Sequence, residues 1–242
     1  YPRAYEENSD AGGQSSLNTV GNWADDNAII YKAPAIDLMG ATVNIGIEHS
    51  LQAGSATGGD GAGLAQSDTY GSGTGVGVTV AYGGLTLGAY GAERENKNPT
   101  QVTDVGDEFN GSMFVNYNFG PVSIGYQETY VDAGLTMTAH STTTAQSVGL
   151  SGGLFTGEAM SIAFNVNDNL SISYAEVEDT YDAQDNAATA IEDVTMKTES
   201  LQVAYSMGSM SVKAYSTETS NPNYDSDAPK QNVNEIALGL AF

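Results

Sequence analysis

The chain has 242 residues, 30 of them acidic and 7 basic, for a net charge of −23. No basic stripe is available to neutralise phosphates, which excludes nucleic acid as a partner. There is no cysteine, which excludes thiolate metal sites, cysteine nucleophiles and disulfides.

Residues 1–26 are polar and irregular, with Glu6, Glu7 and Asp10 ahead of Gly12-Gly13, and read as a loop. Asn27 to Pro34 reads as a strand that Pro34 ends, because proline cannot donate to a ladder. A short connection, Ala35 to Gly40, leads to a second strand, Ala41 to Leu51, in which Val43, Ile45 and Ile47 alternate with Asn44, Gly46 and Glu48. A long Gly/Ser/Ala stretch then runs from Gln52 to Ser72.

The same unit repeats down the chain. Strands are expected at Gly73–Tyr82 and Leu85–Arg94 around Gly83-Gly84, and at Glu108–Phe119 and Val122–Asp132 around Gly120-Pro121. Further pairs are Glu158–Val166 with Leu170–Thr180 around Asn167-Asp168-Asn169, and Lys197–Met207 with Met210–Ser220 around Gly208-Ser209. Long polar loops separate the pairs, and Asn232 to Phe242 closes the chain. In that last strand Ile236, Leu238, Leu240 and Phe242 share one parity, and Glu235, Ala237, Gly239 and Ala241 the other.

Short and long connections alternate strictly, which puts all short turns at one rim of an antiparallel up-and-down barrel. No run approaches the roughly 18–20 apolar residues of a spanning helix. A barrel crosses a bilayer with half-apolar strands, so this pattern is compatible with a membrane. Tyr82, Tyr117, Phe119, Tyr205 and Phe242 fall beside the short turns or at the terminus, where an interfacial aromatic belt is expected. Ordinary β-propensity also favours them there. Alternating strands build soluble sandwiches too, so a surface-displayed adhesin- or lectin-like β-sandwich stays open. Strict turn alternation and the apolar last strand favour the barrel.

In a barrel, parity places Lys32, Glu48, Arg94, Lys213 and Glu235 on the lumen wall, with Lys32 and Lys213 as its positive side. The remaining acids crowd the expected loops, among them Asp60, Asp68, Glu93, Glu95, Asp104, Asp107, Glu108, Glu176, Glu178, Asp179, Asp182 and Asp185. Simple solubility of the loops is the favoured reading of these acids, with surface Ca²⁺ on their oxygens as the alternative. No other cofactor is expected. The chain is not expected to be an enzyme: it has 2 histidines, His49 and His140, and no Gly-x-Ser-x-Gly motif.

Two places resemble a general porin of the Gram-negative outer membrane. Asp26-Asn27-Ala28-Ile29-Ile30-Tyr31-Lys32-Ala33-Pro34, followed by Gly40 and an alternating strand, is similar to that family's Asn-Ser-Ile-x-Tyr-x-Ser-Pro segment, with Ala at both Ser positions. The strand ending in Phe242 resembles the family's insertion signal. The resemblance implies a passive diffusion channel in the outer membrane. It also implies a homotrimer, with the lipid bilayer, lipopolysaccharide, and small polar solutes and ions as partners. Family barrels have about sixteen strands and this sequence supplies about eleven, so about five N-terminal strands are expected to be absent. Residues 1–26 then correspond to a constriction loop, ahead of the barrel strands of 27–242. Glu6, Glu7 and Asp10 would line the constriction and favour cations mildly. A substrate-specific channel, for sugars or oligopeptides, is the alternative within this architecture. Lumen-parity Tyr90 and Tyr215 are too few to make the aromatic ladder it would use.

Overall fold

The computed structural model describes residues 28–51, 70–96, 106–132, 153–182 and 192–240. They form strands β1 (Ala28–Lys32), β2 (Ile36–Leu38), β3 (Ala41–Ser50), β4 (Tyr70–Tyr82), β5 (Leu85–Asn96) and β6 (Glu108–Phe119). Then follow β7 (Val122–Asp132), β8 (Leu154–Asn167), β9 (Leu170–Asp182), β10 (Val194–Met207), β11 (Met210–Ser220) and β12 (Gln231–Leu240). All lie antiparallel in one sheet, in chain order from β3 to β12. β1 and β2 pair end to end along β3. From β2 onward each strand pairs with the next in sequence, the up-and-down arrangement that Greek-key sandwiches do not have.

The first hairpin differs from its reading in the sequence. Pro34 interrupts the ladder but does not end it. Ala33 donates its backbone N–H to Ile45 at 2.9 Å, and pairing resumes at Ile36↔Val43. The residues expected as a connection, Ala35 to Gly40, therefore hold β2. The turn itself is Met39-Gly40, both at positive φ, with Asp37 Oδ1 accepting from the Gly40 N–H at 3.2 Å. The other short turns sit where they were expected. At Gly120-Pro121 the glycine takes φ +54, which an L side chain resists, and the proline follows with its φ preset.

The two faces of the sheet are the reverse of those of a soluble protein. Apart from two glycines, Gly71 ahead of the β4–β5 irregularity and Gly111 on β6, the strand residues that are buried share one face, from Ser50 and Ala92 through Thr129, Ala175 and Thr217. That face is mostly small and polar. The opposite face exposes Ile47, Val76, Val78, Leu87, Met113, Ile124, Ile162, Phe164, Ile172, Leu201, Val203, Ile236 and Leu238. The ladders join these residues into one sheet-wide band: Ile45↔Val78↔Ala89↔Met113, then Ile124↔Ile162↔Tyr174↔Leu201. A contiguous apolar surface of this extent belongs in lipid.

Further from the short turns, the outer face changes to glutamate. Glu158 stands opposite both Glu128 and Glu178, and Glu199 opposite both Glu176 and Glu218. Facing like charges destabilise a ladder. Here Lys197 Nζ offsets them at 3.0 Å from Glu176 and 3.2 Å from Glu178. Tyr126 and Tyr174 donate their hydroxyls to Glu128, Glu176 and Glu199. Carboxylates are too costly in hydrocarbon, so this row marks the edge of the apolar band. The strands also run past the apolar stretches seen in the sequence. Glu95 and Asp182, past the expected strand ends at Arg94 and Thr180, lie on β5 and β9. Glu93, Glu108, Glu176, Glu178 and Asp179, counted among the loop acids although they fall inside the expected strand bounds, lie on β5, β6 and β9. Ladder hydrogen bonds join backbone to backbone, so pairing continues where the side-chain pattern stops.

Candidate functional site

The inner face is built from glycines, small residues and a few large side chains laid flat. Gly88 lies opposite Phe114, and a Cβ there would come within 2.2 Å of the ring. Gly75 lies opposite Glu48, and a Cβ there would meet Glu48 Oε1 at 2.5 Å and Tyr90 Oη at 2.8 Å. The Tyr90 hydroxyl donates to Glu48 across this glycine. These glycines let wide side chains lie along the wall rather than project from it. Replacing Gly88 with valine is therefore expected to displace the Phe114 ring, costing about 1–3 kcal/mol of stability. Unchanged stability would refute this account of the wall.

The wall residues inferred from parity do lie on the inner face, in unequal surroundings. Lys32, opposite Gly46, and Lys213, opposite Ala204 and Ala237, are exposed. Glu48 accepts from Tyr90, and Glu235 accepts from Tyr215. Arg94 is different: it forms an ion pair with Glu108 on the next strand and is largely buried, so its charge does not stand free in the bore. Of the expected belt residues, Tyr82, Tyr117, Phe119 and Tyr205 are exposed on the outer face beside the short turns, and Tyr117 stacks on Phe119 at 6.3 Å. Phe242 lies outside the described residues, as do Glu6, Glu7 and Asp10 and the whole of 1–26.

One feature of the inner face is absent from the sequence reading. The connection after β11 folds inward through a short 3₁₀ turn, Pro222–Tyr224. Tyr224 packs against Phe155 and Tyr181, with ring centroids 5.6 and 5.8 Å away, in a cluster with Val131 and Met196. Its hydroxyl donates to Asp179 Oδ2 at 2.9 Å, deep in the inner face. Asn221 Nδ2 donates to the Thr195 carbonyl at 2.8 Å. Asn221, Asn223 and Tyr224 all take positive φ, a conformation asparagine tolerates and tyrosine resists. The only trace of this in the sequence is the Asn-Pro-Asn-Tyr run, which reads as a turn and not as a docked one. Nearby, Lys230 donates to Glu218, and that hydrogen bond holds its ammonium above the usual lysine range.

No family model matches the chain. No curated protein matches it either. Solved structures do match. One is a loop L8 deletion mutant of OmpT, an outer membrane protein of Vibrio cholerae: TM-score 0.50 and 16% identity, over 94% of this chain and 66% of that one. The chain has the fold of an outer-membrane β-barrel. Outer-membrane expressed OmpT of Vibrio cholerae aligns with a TM-score of 0.45 at 16% identity, over 88% of this chain and 63% of that one. This chain thus spans slightly under two thirds of the length of these structures. The expected location in the Gram-negative outer membrane agrees with the fold. One expectation is corrected. The exclusion of enzyme activity, drawn from two histidines and a missing serine motif, is withdrawn, because the fold shared with OmpT gives no ground for excluding catalysis.

Proposed function

We propose that the chain forms the wall of a water-filled outer-membrane channel through which small hydrophilic solutes and ions diffuse passively. The inverted faces carry this reading: the apolar band points outward, while the inner face is small and polar with its wide side chains laid flat. In this reading the protein is a general porin, set among bilayer lipid and lipopolysaccharide as a homotrimer.

Reconstitution into planar bilayers tests it. Discrete ohmic current steps are expected. Folded, inserted protein that passes no current would rule the channel out. The same preparation should be assayed for peptide and ester hydrolysis, since turnover without conductance would point to an enzyme instead.

The proposed constriction has its own test. Glu6→Gln combined with Glu7→Gln should move the reversal potential in a salt gradient toward zero as cation preference weakens. A reversal potential that does not move would show that these acids do not line the narrow point.

A further inference from the structure

The inner wall is divided by charge. Apart from the largely buried Arg94–Glu108 pair and buried Asp179, the charges on it lie at the two sides of the sheet, among them exposed Lys32 and half-buried Glu48 on β1 and β3, and exposed Lys213 and Glu235 on β11 and β12. Between them, from β6 to β10, the described inner-face residues carry charge only at Glu108 and Asp179. Glu108 is paired with Arg94, and Asp179 is buried beneath Tyr224. In a chain of net charge −23, the middle of this wall is left neutral.

That neutral surface is a groove of about 480 Å³, within the size range of small-molecule sites. Asn116, Gln127, Ser161, Ser173 and Gln202 line it, with Phe114 as an apolar wall. Gly125 sits between Asn116 and Ser161 in the ladder, and a Cβ there would fall within 2.8 Å of Asn116 Oδ1 and 2.9 Å of Ser161 Oγ. The glycine thus keeps open a notch flanked by an amide and a hydroxyl. Primary amides and hydroxyls both donate and accept, which matches adjacent hydroxyls on a solute that also do both. An uncharged lining gives an ion no counter-charge.

We propose that this groove binds neutral, polyhydroxylated solutes of the sugar class during their passage. The inference rests on the channel reading and names its solute, which makes the channel selective for sugars in place of a general porin. An apolar wall beside hydrogen-bonding groups suits a sugar ring, which offers C–H groups on its faces and hydroxyls at its rim.

Conductance in planar bilayers with added maltotriose tests it, with lactobionate as a charged comparison. Wild type should show a saturable, reversible block by maltotriose and a weaker one by lactobionate. Asn116→Leu with Ser161→Ala should weaken the maltotriose block by about tenfold, each variant being read against its own sugar-free current, since each neutral hydrogen bond lost is a few-fold effect. Gly125→Val, which fills the notch, should weaken it in the same direction. Steady conductance with no saturable block, or equal block by both solutes, would overturn the sugar groove and leave the channel standing. Calorimetric titration of maltotriose into detergent-solubilised protein reads the groove without a current. Binding there without conductance would keep the groove and remove the channel; heat and block both absent would remove the groove.

Discussion

Ile162→Arg is expected to destabilise the protein in lipid by about 2–4 kcal/mol, the cost of a cation on the lipid face near mid-membrane. Ile162 is 47% exposed, in the middle of the apolar band, between Ile124 on β7 and Tyr174 on β9. Equilibrium unfolding from lipid vesicles measures the effect. The decisive comparison is one residue away. Ser161 faces inward between Gly125 and Ala175, so Ser161→Arg places the same charge on the polar side. The period of a strand is two, so a shift of one residue changes the face. Ser161→Arg should cost clearly less than Ile162→Arg. Equal costs would mean that the faces are assigned wrongly, and the membrane reading would fail with them.

Tyr224→Ala is expected to cost about 3–5 kcal/mol, the usual penalty for emptying a large buried aromatic site. The ring is 1% exposed, and both its packing and its hydroxyl are engaged. The loss is confined to the docking of the loop if that loop then lets go. Two readouts separate these outcomes: global unfolding, and protease cleavage within residues 221–230. Tyr224→Phe keeps the ring and removes the hydroxyl donor to Asp179, and should cost about 1–3 kcal/mol. Packing holds Tyr224 at φ +56, so the alanine variant should also lose the force that keeps the backbone left-handed there. Unchanged protease resistance in Tyr224→Ala would show that the loop is held by something other than this side chain.

Much of the architecture was legible in the residue pattern. Strands β6, β7 and β11 begin and end where alternation and turn chemistry place them. Each is bounded on one side by a turn that constrains the chain locally, such as Gly120-Pro121 or Gly208-Ser209. Where sequence and structure differ, the physical cause is shared. Ile36–Leu38 reads as a connection because Pro34 reads as a stop. A proline removes one N–H, and the neighbouring backbone groups can still pair. The residue pattern stops short of the far ends of β5, β8, β9 and β10 because their outer residues turn to glutamate and threonine. Side-chain polarity marks the membrane boundary and not the end of the ladder.

The wall was only partly legible. Parity placed Lys32, Glu48, Lys213 and Glu235 on the inner face, because in a regular strand a side chain's face follows from its position alone. The pairing of Arg94 with Glu108 was not readable: it depends on which residues of β5 and β6 stand opposite, and 95–107, read as a loop, does not fix that register. The flat placement of Phe114 over Gly88 and the neutral groove around Gly125 depend on register across several strands in the same way.

What the sequence determined by itself was local: a two-residue period, turns at glycine and proline, and one greasy face per strand. These follow from backbone geometry and burial preference, which act over a few residues. Only the tertiary structure decided which face is hidden, which glycine lies under which ring, and that Tyr224 reaches Asp179, 45 positions earlier in the chain. Such contacts join residues far apart in the chain, and their energy exists only once the sheet has brought them together.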